Sequence, residues 1–134
     1  MKNVFIFIIF TLGVIFSLYG NTVLDKAIAL SKDEMAYAQR LSFQKKYSSA
    51  ILEGDAYLVN EAFEHNGMTC VILTTEKDWH NENVTCISVF LSETNNDDIN
   101  NLRKGAFVHF RGEFSFFSGP QIILNNGIID LKGE

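Results

Sequence analysis

The two cysteines of this 134-residue chain, Cys70 and Cys86, are the pair with the most evident chemistry. Each lies in an apolar, β-branched run, Met68 to Thr75 and Val84 to Leu91, and the polar stretch Glu76 to Asn83 separates the runs. A hairpin centred near Asp78 sets opposite each other residues whose numbers sum to 156, as 70 and 86 do. Opposed cysteines of an antiparallel pair approach disulfide distance, most readily at a non-hydrogen-bonded position. In an oxidising compartment a Cys70–Cys86 disulfide is expected, closing a loop of about fifteen residues worth about 3 kcal/mol in the chain-entropy model. The alternative is a pair of buried free thiols, because Cys also serves as a small core residue. Without a C-x-x-C spacing, the pair does not read as a redox catalyst.

The aromatic residues are the next candidates. Phe114, Phe116 and Phe117 straddle a loop that ends at Gln121, and Phe63 with His65 stands in an earlier loop. Rings clustered at the mouth of a small barrel can stack bases or sugars. The plainer reading is that they cap the end of the core. His65, His80 and His109 fall in three separate elements, whereas a zinc site needs three or four converging ligands. Asn95-Asn96-Asp97-Asp98 lacks the Gly and distal Glu of a calcium loop and reads as helix capping. No Gly-x-Ser-x-Gly, P-loop or motif-placed carboxylate pair occurs. The sequence therefore predicts no catalytic residues, no metal and no cofactor.

The elements that must position these residues begin after an export signal. One positive charge at Lys2, an uncharged run from Val4 to Leu18, and then Tyr19-Gly20-Asn21 follow the order of a secretory signal peptide over 1–20. The alternative is an uncleaved membrane anchor of near-minimal length. Either way the remainder is expected outside the cytoplasm, periplasmic or secreted. Past that segment the chain carries 10 basic and 16 acidic residues, and from Ser48 onward only 5 basic against 13 acidic. Phosphate backbones are held by clustered Lys and Arg, so a domain with net charge −8 disfavours nucleic acid.

Residues 21–48 read as a helical lead-in. Ser31 and Glu34 fit a capping box opening a helix from Lys32 to about Tyr47, with Met35, Ala38 and Leu41 as the stripe that packs, Tyr37 beside it. Asn21 to Leu30 is a looser helical stretch. Five strand-like runs follow: Ile51 to Phe63 with Gly54 as a bulge, Met68 to Thr75, Val84 to Leu91, Ala106 to Phe114 and Gln121 to Leu131. Asn66-Gly67 predicts a type I′ hairpin turn, and Asn126-Gly127 a second bulge. Thr94 or Asn95 caps a short helix holding Ile99 and Leu102, ended by Gly105. A short helix between strands 3 and 4 of five predicts an all-β fold with a helical N-terminal extension. The expected architecture is a five-stranded Greek-key OB-fold barrel over 49–134. In strands 2 and 3 both faces are apolar, Met68, Cys70, Ile72, Val84, Cys86 and Phe90 against Val71, Leu73, Ile87, Val89 and Leu91. Only one face can line the barrel, so the other meets the helix or a partner.

The stretch Ser31 to Asp130 resembles the tRNA_anti-like family of exported, often lipid-anchored bacterial OB-fold proteins. The shared features are Ser31 to Glu34, Lys46-Tyr47, Ile51-x-x-Gly54 and Val84-x-Cys86. They continue with Leu102-Arg103-Lys104-Gly105-x-x-Val108-x-Phe110-x-Gly112 and Ile123-Leu124-x-x-x-Ile128. The resemblance implies a fold and an exported location without an activity, and no lipid-attachment Cys follows the apolar run. The expected function is a non-enzymatic binding or interaction module for a protein, peptide or small cationic ligand. Its expected groove is Phe63, His65, Phe114, Phe116, Phe117 and Gln121. The alternative is a single-stranded nucleic acid or an oligosaccharide.

Overall fold

The computed structural model of the chain describes residues 23–76, 85–93, 96 and 99–133. The expected signal segment, Trp79, His80 and the capping residues Thr94 and Asn95 lie outside them. Two helices, α1 (23–32) and α2 (Tyr37–Lys46), precede six strands. These are β1 (Ile51–Leu58), β2 (Phe63–His65), β3 (Met68–Thr74), β4 (Cys86–Leu91), β5 (Phe107–Ser118) and β6 (Gln121–Gly133), with a 3-10 turn at Ile99–Asn101.

All six strands share one sheet in the order β1-β5-β6-β4-β3-β2. Tyr57 and Leu58 of β1 also pair with Thr74 and Leu73 of β3, closing five strands into a ring and leaving β2 outside it. The neighbours are antiparallel except β4 and β6, which run parallel with Ser88 beside Ile123. Alternation then decides what faces inward. Leu52, Ala56, Val71, Leu73, Ile87, Val89, Val108, Phe110, Ile122 and Leu124 are all fully enclosed. Val71, Leu73, Ile87, Val89 and Leu91 thus form the inward face of β3 and β4. The face carrying Met68, Cys70, Ile72, Cys86 and Phe90 is the outer one.

The expected cysteine pairing does not form. Cys70 lies opposite Phe90 and Cys86 opposite Thr74, so paired numbers sum to 160 rather than 156. The slip is even, which preserves the faces but sets Cys70 and Cys86 four residues apart along the strands. That is about 13 Å at about 3.3 Å per residue, beyond the reach of a disulfide, and both cysteines are free.

The helical layer also differs from expectation. Ser31 does not cap a helix; it is buried in the last turn of α1, donating its hydroxyl to Ile28 O at 2.7 Å and meeting Thr85 Oγ1 at 2.9 Å. Arg40 on α2 donates to the carbonyls of Leu30, Ser31 and Asp33. Leu30 and Ser31 lie in the last turn of α1 and Asp33 just beyond it, so the break between helices is held in part by a side chain. Met35, Tyr37 and Leu41 do not pack, being 89%, 71% and 45% exposed. Phe43, 3% exposed, packs instead. Its ring lies 4.6 Å from Tyr47, 5.1 Å edge-on from Phe114 and 5.5 Å from Phe117. Edge-to-face aromatic contacts add to the large apolar area each ring buries.

Local irregularities have steric reasons. Gly54 is not a bulge, because β1 pairs with β5 without interruption from Ile51 to Tyr57. A Cβ there would stand 2.8 Å from Leu24 Cδ2, so its bareness admits α1. Asn66 and Gly67 both have positive φ (54° and 78°), the expected tight turn of β2 and β3. Asn126-Gly127 is a bulge opposite Gly112, where the β5–β6 register shifts. A Cβ on Gly127 would fall 2.1 Å from Val89 Cγ1 and 3.2 Å from Phe90 O, within the β4–β6 seam.

Two stability outcomes follow, both read from urea unfolding midpoints. Phe43→Ala is expected to cost about 3–4 kcal/mol, while Leu41→Ala stays within about 0.5 kcal/mol. Gly127→Ala is expected to cost about 2–3 kcal/mol, and Gly54→Ala less, because only the tip of Leu24 must move. Equal losses within either pair would contradict the packing described.

Candidate functional site

The outer face of β3, β4 and β6 carries a groove of about 310 Å³. Phe63 and His65 of β2 stand at one end, and Phe116 and Ser118 of β5 at the other. Cys70, Ile72, Ser88, Phe90, Gln121 and Ile123 lie between. The strands position these groups by alternation, each being out of phase with the core residues beside it. Phe116 is an exception with a local cause. Phe114 faces inward, and strict alternation would send Phe116 inward too. A register shift between Phe114 and Phe116 makes Ser115 an extra residue in β5. Phe116 therefore turns outward, 45% exposed, while Phe117 turns to the core, 5.3 Å from Phe114.

Phe63, at 39% exposure, and Phe116 are two exposed rings bracketing the floor. The ring of His65 lies 6.2 Å from Phe90. Ser88 donates its hydroxyl to Gln121 Oε1 at 3.2 Å, which engages the amide oxygen and leaves its N–H2 to donate. Among the described residues that line it there is no Asp, Glu, Lys or Arg. Burial pushes the Cys70 thiol up from its ordinary range, although a hydrogen bond from backbone Val89 opposes the shift. Burial likewise pushes Cys86 up. A protonated, buried thiol is a poor nucleophile. What the arrangement offers is a neutral surface of flat rings and aliphatic carbon with hydroxyl, amide and imidazole groups to orient a bound group.

Four of the six groove residues expected from sequence meet here: Phe63, His65, Phe116 and Gln121. Phe114 and Phe117 do not; they belong to the aromatic packing under α2, where Gln44 Oε1 accepts from Phe117 N at 2.9 Å. The sequence reading missed Cys70, Ile72, Ser88, Phe90, Ser118 and Ile123 as lining. Their signal was the second apolar face of strands 2 and 3, which needed a cover.

A charged cluster occupies a different part of the surface. His109 on β5 meets Asp55 Oδ1 at 2.8 Å through Nδ1 and Glu53 Oε2 at 3.3 Å through Nε2, and Lys132 Nζ lies 2.6 Å from Asp55 Oδ2. His109 is thus a strand-face histidine that partners two acids across β1 and β5. The Lys132 ammonium, and then the His109 ring, hold the Asp55 carboxyl below its ordinary 3.8. Among the described residues, no group of three or more His, Cys, Asp or Glu is arranged to hold a metal ion.

No family model matches the chain, and no curated protein matches it either. Its fold is similar to that of a crystal structure from Klebsiella pneumoniae subsp. pneumoniae MGH 78578, described as a "putative nucleic acid-binding lipoprotein". The two align with a TM-score of 0.51 at 14% identity, over 69% of this chain and 80% of that one. At that identity the likeness concerns the fold.

The Asp55 cluster yields a pH outcome. A folded-state pKa below the unfolded one contributes stability above the unfolded value, and that contribution is lost as pH falls through the folded value. Asp55→Asn is therefore expected to destabilise at neutral pH and to become indistinguishable from the parent well below pH 3.8. Guanidinium midpoints across that range check it, and a deficit independent of pH would refute the ionic origin. Thiol titration in denaturant is expected to count two free thiols without reductant; finding none would restore the disulfide.

Proposed function

We propose that the chain is an exported, non-enzymatic binding module built on an OB-fold barrel. Its ligand is a protein or peptide segment, or a small cationic molecule, that lays an apolar or aromatic group in the groove across β3, β4 and β6. The observation that carries this reading is the set of described lining residues, all uncharged, between two exposed rings, Phe63 and Phe116. The ring order β1-β3-β4-β6-β5, with β4 and β6 parallel, fits the topology of an OB barrel, in which this face and the loops beside it bind ligands. That topology, with the resemblance to the tRNA_anti-like family, supports the fold assignment. The secretory pattern over 1–20 supports export. The acid excess from Ser48 onward favours a cationic or neutral partner over a phosphate backbone.

A second reading is single-stranded nucleic acid. The solved structure of similar fold is described as binding nucleic acid, and Phe63 and Phe116 are free to stack bases. Against it, the described lining residues include no Lys or Arg for the phosphates that run beside stacked bases.

Both readings predict dependence on the same rings and differ in ligand. Fluorescence titration with short Trp-containing peptides of basic, neutral and acidic charge, and with oligothymidylate at low salt, separates them. Binding of basic or neutral peptides, weakened about tenfold by Phe63→Ala or Phe116→Ala and without oligothymidylate binding, is the expected result. Ring-dependent binding of oligothymidylate alone would favour the second reading, and binding of neither would remove the groove as the site.

A further inference from the structure

The helical layer presents a second surface whose chemistry is unlike that of the strands. Between Val23 and Tyr47 the chain carries five cations, Lys26, Lys32, Arg40, Lys45 and Lys46, against the acids Asp25, Asp33 and Glu34, while the strand region carries its acid excess. Two of the cations are committed: Lys32 is paired with Glu76 at 2.7 Å, and Arg40 holds the carbonyls ending α1. Lys26, Lys45 and Lys46 stand exposed. Lys26 and Lys46 flank a cleft of about 460 Å³ between α1 and α2, floored by Leu30, Ala38 and Phe43. On the same helix Tyr37, Leu41 and Lys45 follow one another at four-residue spacing, so they form one stripe. Tyr37 and Leu41 are exposed, and so is Met35 just before the helix. Exposed large apolar side chains beside exposed lysines, of which Lys46 also lies 5.3 Å from the Tyr47 ring centroid, are the makings of an interfacial membrane contact.

A feature of the chain says which partner this surface fits. The uncharged run Val4 to Leu18 stands a few residues upstream of Val23, where α1 is first described. While that run lies in a bilayer, during export or as an anchor, the described element next to it in sequence is the helical layer. We propose that this layer is a docking surface for an anionic phospholipid bilayer, with Met35, Tyr37 and Leu41 entering the headgroup boundary and Lys26, Lys45 and Lys46 meeting lipid phosphates. The strand region, with its excess of acids, is repelled by the same surface. The charge asymmetry therefore selects one orientation, helices toward the lipid. Each lysine near an anionic surface strengthens binding about fivefold, equivalent to about 1 kcal/mol. The acids Asp25, Asp33 and Glu34 offset part of this gain. Two weak signals, apolar insertion and basic attraction, together give a stable contact where either alone is marginal.

Met68, exposed on the outer face of β3 away from the helices, supplies an internal control. The full chain is reconstituted in nanodiscs of phosphatidylcholine alone and of phosphatidylcholine mixed with phosphatidylglycerol, and methionine oxidation by hydroxyl radicals is read by mass spectrometry. The expected result is that Met35 oxidation falls at least threefold in the anionic discs relative to the neutral ones while Met68 is unchanged. The triple variant K26Q/K45Q/K46Q should erase that difference. Equal Met35 oxidation in both lipids overturns the proposal. Protection to the same depth in both, relative to the lipid-free chain, also overturns it, because the contact then does not select anionic lipid. Because none of the helical residues invoked lines the groove, a failure here leaves the groove untouched.

Discussion

The parallel seam between β4 and β6 is the constraint on which the rest of the structure depends. The ring cannot form without it, it joins strands far apart in sequence, and the middle of the groove is laid across it. Ser88 beside Ile123 and Cys86 beside Gln121 are partners along that seam. It holds because Gly127 has no side chain: Val89 Cγ1 occupies the place a Cβ would need. Asn96 fastens the same spot, its Nδ2 donating to Ser92 O and Gly127 O and its Oδ1 accepting from Ile129 N. A bulge that elsewhere would only weaken a ladder here lets two strands approach and turns β6 from one inward phase to the other, Ile122 and Leu124 before it, Ile129 after.

A second bulge divides the aromatic residues of β5 between structure and surface. The extra residue at Ser115 puts Phe116 in the groove and Phe117 beside Phe43. One backbone irregularity thereby sets both the outer jaw of the groove and the clamp that seats α2. Gln44 completes the clamp by accepting the Phe117 amide, where β1 has already ended and the edge of β5 would otherwise lack a partner. The groove and the helical layer are therefore mechanically linked through β5, although they face different surroundings.

The distribution of charge separates these surroundings. Ion pairs such as Asp55 with Lys132 and His109 are partly exposed and contribute little individually. Their larger effect is to neutralise part of an acid excess that remains on the strand region. The described lining of the groove is uncharged, so its selectivity rests on shape and apolar contact, with the surrounding field biasing which ligands arrive. The helical layer carries the opposite bias, which suits it to a different neighbour.

Much of this was legible in the residues. Alternating apolar runs, Asn66-Gly67 and Asn126-Gly127 predict the strands, the tight turn and the bulge, because those signals are local and steric. The split of strand faces is equally local, since an even register slip cannot exchange them. The charge asymmetry between the helical segment and the strands is a property of composition alone. Register, by contrast, depends on how the turn between β3 and β4 is built, and a slip of four residues removed the Cys70–Cys86 pairing without altering any pattern. Ser31 to Glu34 satisfies the capping rule, yet a buried partner, Thr85, and three bonds from Arg40 carried α1 through Ser31. Met35 and Leu41 have the spacing of a packing stripe, but Phe43 buries more area against Phe114 and Phe117 and sets the helix rotation. That Phe116 faces out and Phe114 and Phe117 face in was decided by a bulge at Ser115, a residue with no sequence mark of its own. Local chemistry thus determined which elements form and which residues share a face. Long-range packing, which no short window of sequence contains, determined their register and rotation and which rings reach the surface.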